Sequence, residues 1–116
     1  MKDFQIILTY STERILQSMN NERIILEQRL DLMYEGIIRS KGSLMDYQAP
    51  DGQWYKIPEP IEIHTLKKWN ALGYELNDCE VPIAKFKIWK PYKNERSKGV
   101  VFKLAEFYSY DQVHKS

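Results

Sequence analysis

Two periods of hydrophobicity divide this chain, and together they leave few folds open. From about Thr12 to Arg39, apolar side chains fall at Ile15, Met19, Leu26, Leu30, Met33 and Ile37, with Leu16, Ile25 and Ile38 widening the stripe. Steps of three, four and seven residues trace one side of a helix, and Gly36 is the only glycine or proline there. From Val81 to Trp89 and again from Val100 to Tyr108 the period drops to two, as in a strand with one covered face. Helices first and a small antiparallel sheet after them make an α+β fold with a C-terminal β-hairpin.

Local signals place the joints. Asn20 and Asn21 suit a helix cap, and Glu22 then begins a helix favourably, so the N-terminal stretch reads as one long helix or a helix pair. The sequence Ser40-Lys41-Gly42-Ser43 closes the helical part, residues 1–43. In residues 44–60 the turn Ala49-Pro50-Asp51-Gly52, flanked by Tyr47 and by Trp54 and Tyr55, leaves a short hairpin or an ordered loop open, and Pro58 and Pro60 end any strand. In residues 61–116, Leu66, Trp69 and Leu72 share a face of a helix of two to three turns, and Gly73 supplies the left-handed residue past its end. Tyr74 to Leu76 reads as extended, and the hairpin that follows has a long tip, Lys90 to Gly99. With 116 residues and 43% hydrophobic side chains, a single domain accommodates all of this.

Residue inventory argues against catalysis. Cys79, His64 and His114 are too few and too scattered for a zinc site, no phosphate-binding or dinucleotide glycine loop is present, and acid pairs such as Glu59 with Glu62 read as solvated charge. The expectation is a protein without catalytic residues, metal or cofactor. One cysteine rules out an internal disulfide, and Phe4 to Leu8 is too short for a secretory core, so the chain reads as cytoplasmic with no membrane partner. The seven-residue repeat Met19, Leu26, Met33 also admits a homodimer seam along the N-terminal helix, although packing on the chain's own sheet accounts for it as well.

The net charge of +1 gives no long-range attraction to a polyanion, so any anion site must be local. Charge is in fact concentrated: Lys85, Lys87, Lys90, Lys93, Arg96, Lys98 and Lys103 face the single acid Glu95 between positions 85 and 103. Alternation puts Trp89 on the side of Lys85 and Lys87, which combines cations for phosphates with a ring on which a base stacks. The same lysines also serve to block pairing at a sheet edge, and aromatic rings in small sheets are often core.

Three blocks in residues 65–113 resemble the N-terminal single-stranded-DNA-binding domain of ArdC-type antirestriction proteins, found on mobile elements. They are Thr65 to Tyr74, with Trp69 on a helix ending in Gly73-Tyr74; Glu80 to Pro91, whose strand finishes Ile88-Trp89-Lys90-Pro91; and Phe102 to Val113, where Phe107 leads to Asp111-Gln112. Two departures are clear: the family's Lys-Gly-Glu turn is replaced by Asn77-Asp78-Cys79-Glu80, and the metalloprotease-like domain common in the family is not in this sequence. The resemblance implies a core role for Trp69. It further implies that Lys85, Lys87, Trp89 and Lys90 line the DNA-facing strand, that Lys93, Arg96 and Lys98 catch phosphates from the loop, and that Tyr108, Tyr110 and Gln112 stack or bond to a base.

Taken together, these features lead to an expected single-stranded DNA (or RNA) binding protein of a plasmid, phage or conjugative element, with Lys103 completing its basic set. The rival expectation is an anti-defence inhibitor that docks on a host nuclease or CRISPR-type complex through protein contacts.

Overall fold

The computed structural model describes residues 20–93, 96 and 98–116. The first described element, helix α1 (Asn21–Tyr34), starts where local chemistry places it: Asn20 is the cap, its side-chain oxygen accepting from the Arg23 N–H at 2.9 Å. The helix ends earlier than hydrophobic periodicity alone implies. Gly36 takes φ 78° and the Ile37 N–H reaches back to the Leu32 carbonyl at 2.8 Å, while the Gly36 N–H bonds that of Met33 at 3.0 Å. This is a Schellman ending, for which a glycine is the natural left-handed residue. The expected Ile15 and Met19 positions lie outside the described residues. Ile37 is exposed, and the helix buries Ile24, Leu30 and Leu32.

Ser40 to Ser43 does not close a helical part, as the sequence led one to expect, but opens strand β1 (Ser40–Gln48). It pairs antiparallel with β2 (Trp54–Pro60) around the Ala49–Gly52 turn, whose Gly52 N–H bonds the Ala49 carbonyl at 2.8 Å. Pro58 and Pro60 are expected to end this strand: Pro60 is its last residue, whereas Pro58 lies within it. In a sheet of two strands each strand has an outer edge, where a missing N–H costs no ladder bond.

The second sheet orders β3 (Ile63–His64), β6 (Lys98–Ser109) and β5 (Ala84–Lys93), with β6 in the middle. The β5–β6 ladder runs from Ala84↔Phe107 to Lys93↔Lys98, so Lys90 to Lys93 and Lys98 to Gly99 are paired strand and not part of the long loop expected from Lys90 to Gly99. Helix α2 (Leu66–Ala71) is capped by Thr65 and followed by Gly73 at φ 90°. At six residues it is shorter than its sequence suggests. A third, two-stranded sheet joins β4 (Tyr74–Leu76) to the C-terminal β7 (Val113–Lys115), just after a single 3-10 turn at Tyr110–Gln112.

Strand β6 is the wall between two apolar clusters. Phe107 enters the main one with Ile24, Leu32, Ile38, Ile61, Ile63, Phe86, Ile88 and Ala105, and stacks on Phe86 with ring centroids 4.0 Å apart. Its neighbour Tyr108 points the other way, into a cluster with Trp69 and Val113. Trp69 is 2% exposed and its indole N–H donates to the Tyr108 carbonyl at 2.8 Å, so it ties α2 to the sheet in the core position expected. Ile25 and Met33 pack on the main cluster, so this stretch of α1 lies on the chain's own sheet.

Candidate nucleic-acid interface

Beyond the cores, β5 and β6 continue as a ribbon that carries most of the residues singled out by charge. Register sorts them onto two sides. Lys85 opposite Glu106, Lys87 opposite Leu104 and Trp89 opposite Phe102 occupy one, whereas Lys103 opposite Ile88, Lys90 opposite Val101 and Tyr92 opposite Gly99 occupy the other. A single face holding every expected cation is therefore not what the strands build: Lys90 and Lys103 have the opposite parity to Lys85 and Lys87.

On the first side, Lys85 and Lys87 are exposed, and the Lys85 ammonium lies 3.5 Å from Glu106. Both partners are more than half exposed, so water screens the pair and its contribution is small. Trp89 differs from its expected role as an open stacking platform. It is half-buried, its ring lies 4.7 Å from that of Phe102 at 41°, and it packs against the main cluster. Its backbone is held as well: the Asn21 side chain accepts from the Trp89 N–H and donates to the Trp89 carbonyl, both at 2.8 Å.

On the second side the open ring is Tyr92, 43% exposed. It lies across Gly99, where an added Cβ would stand 3.3 Å from the ring. A glycine opposite leaves room for the hydroxyl end of the ring to approach the backbone closely. Lys90 is next along the same side, and Lys103 is exposed two rungs from the Val101 pair. Sequence reading passed over Tyr92; the signal was a tyrosine and a glycine placed to meet across a turn, Tyr92-Lys93 and Lys98-Gly99.

The remaining expected residues separate. Lys93 and Lys98 form the last rung of the ladder instead of lying in a loop, and Arg96 is exposed at the tip. Tyr108 is buried in the second cluster, and Gln112 is equally enclosed. The Gln112 side chain accepts from the Ser109 N–H at 2.9 Å and donates to the Val81 carbonyl at 2.7 Å and to Glu80 Oε1 at 3.0 Å. Both are structural, a correction to their expected contact with a base, because each side chain is already occupied by the fold. Tyr110 is 46% exposed but lies past the far end of β6, away from the ribbon tip.

Among the described residues no group of three His, Cys, Asp or Glu side chains is placed to hold a metal ion, and no helix is long and apolar enough to cross a membrane. No protein-family model, curated protein or solved structure matches the chain. Cys79 has φ 63°, the left-handed backbone that glycine adopts without strain.

Proposed function

We propose that the protein binds single-stranded nucleic acid along the β5–β6 ribbon, without catalysis. The observation that carries this reading is Tyr92: an exposed ring against Gly99, with Lys90 next along the same side and Lys103 four rungs away, in the most cationic part of the chain. Bases stack on such rings, and lysines along a ribbon follow the phosphates, whatever the base sequence. Lys85 and Lys87 on the other side extend the cationic surface around the ribbon. The likeness of residues 65–113 to the ArdC-type binding domain points to the same ligand and to antirestriction on a mobile element as the setting. Titration of a labelled single strand tests it. Tyr92→Ala is expected to weaken binding by about 1 to 3 kcal/mol. Unchanged affinity in that variant would remove the proposal's main support.

A different observation favours a second reading, an inhibitor that docks on a host nuclease or CRISPR-type complex. Val100 is 62% and Leu104 57% exposed, the latter directly across from Lys87. Exposed aliphatic side chains among cations fit a protein surface better than a phosphate backbone. Recovery of a stoichiometric protein partner from nuclease-treated host lysate supports this reading; loss of every partner on nuclease treatment supports the first.

A further inference from the structure

We propose that the hollow between Tyr74 and Tyr110, at the end of β6 remote from the ribbon tip, is a binding subsite for a single nucleotide; the inference rests on the nucleic-acid reading and adds a second contact point to it. The hollow measures about 500 Å³ and is lined by Tyr74, Tyr110, Asp111, Val113, His114 and Lys115. Small-molecule sites commonly fall at about 300 to 1,000 Å³.

Three features make it fit a flat ring carrying a phosphate. First, Tyr110 is exposed, and its ring is held by contacts with the rings of Tyr74 at 6.0 Å and Trp69 at 6.2 Å. The turn beneath it is fixed by the Tyr110 N–H to the Glu62 carbonyl at 3.0 Å and by the Gln112 side chain. A base stacking there finds a ring already in place. Second, the Lys115 ammonium stands 5.1 Å from the centre of the Tyr74 ring, and among the described residues no carboxylate lies within ion-pair distance of it. Third, the acid of the hollow is already neutralised: Asp111 accepts a two-pronged contact from Arg39, both bonds 2.8 Å. A phosphate entering the hollow therefore meets the Lys115 ammonium, while the Asp111 carboxylate is already engaged by Arg39. The neighbouring hollow of about 360 Å³ on the other side of Tyr110 lacks this property, because its Lys41 lies between Glu59 and Glu62.

The nucleotide has two sources, a free molecule or one unit of a bound strand. Gly99 and Tyr110 are separated by roughly 35 Å of extended chain, so a mononucleotide reads this subsite independently of the ribbon. Amide NMR titration of the full chain with adenosine monophosphate is expected to shift Tyr110, His114 and Lys115 saturably, with Lys115→Gln and Tyr110→Ala each weakening the effect by about fivefold or more. Displacement by a single strand of about 20 nucleotides assigns the subsite to strand binding, and retention of the mononucleotide in the strand's presence assigns it to a free nucleotide. No saturable shift by about 10 mM, or saturable shifts confined to other residues, overturns the inference. Strand binding that is lost in Tyr92→Ala would still uphold the ribbon reading in that case, and absence of strand binding would sink the ribbon reading whatever the mononucleotide does.

Discussion

The side-chain amide of Asn21 makes two hydrogen bonds of 2.8 Å to the backbone N–H and carbonyl of Trp89, 68 positions further along the chain. It does what one residue of a neighbouring strand would do, and it docks the first turn of α1 on the outer edge of β5. Asn21→Ala is expected to lower stability by about 1 to 2 kcal/mol, two partly buried hydrogen bonds less a small gain in helix propensity. Asn21→Asp keeps the acceptor but sets a carboxylate oxygen against the Trp89 carbonyl, so it should cost at least as much as Asn21→Ala. Urea denaturation midpoints at unchanged m-value check the order.

Trp69 supplies the equivalent tie on the other side of β6. Replacing it with Phe retains a ring but leaves the buried Tyr108 carbonyl without its donor and opens space beside His64, whose ring lies 4.7 Å away. A loss of about 2 to 4 kcal/mol is expected. Thermal melting measures it, and a loss under about 1 kcal/mol would mean that water or a neighbour satisfies the carbonyl.

Acid should loosen the corner around the 3-10 turn. The hydrogen bond and charge of Arg39 hold Asp111 below the usual carboxylate range, and the hydrogen bond to His64 does the same for Glu62. Each group binds protons less readily folded than unfolded. Its stabilisation is therefore complete above the unfolded value, about pH 4, and is lost as pH falls through the lowered folded value. Melting temperature is expected to drop with acidification below about pH 4, less steeply in Asp111→Asn than in the parent. Equal slopes would leave the Arg39 contact without a part in acid stability.

Cys79 holds a backbone conformation that costs a side chain more than it costs glycine. Cys79→Gly is expected to stabilise by about 0.5 to 1 kcal/mol, with part of the relief offset by the extra freedom of glycine when unfolded. A melting temperature at or below the parent's would contradict this.

What could be read from sequence was what neighbours along the chain decide. The Asn20 cap, the left-handed Gly73 and the alternation of Phe86 and Ile88 are local, and they stand in the structure as read. Gly36 carried the true end of α1, but the apolar pair Ile37-Ile38 masked it by continuing the helical stripe. Strand β1 was illegible because Ser40-Lys41-Gly42-Ser43 has no apolar alternation; its partner β2 makes it a strand. The site failed to show for a related reason. Alternation places Trp89 beside the lysines, but only the register reveals Phe102 opposite it and Gly99 opposite Tyr92. Likewise Tyr74 and Lys115 meet only because β4 pairs with β7.

The most direct test of the central claim is the affinity for a labelled single strand of about 20 nucleotides, measured across a range of salt concentrations. The account predicts that the logarithm of affinity falls linearly with that of salt. In the Lys87→Gln, Lys90→Gln double variant the slope should become shallower by about 1.4, about 0.7 for each phosphate contact removed from a single strand. Absence of binding, or a slope identical in parent and double variant, would contradict it.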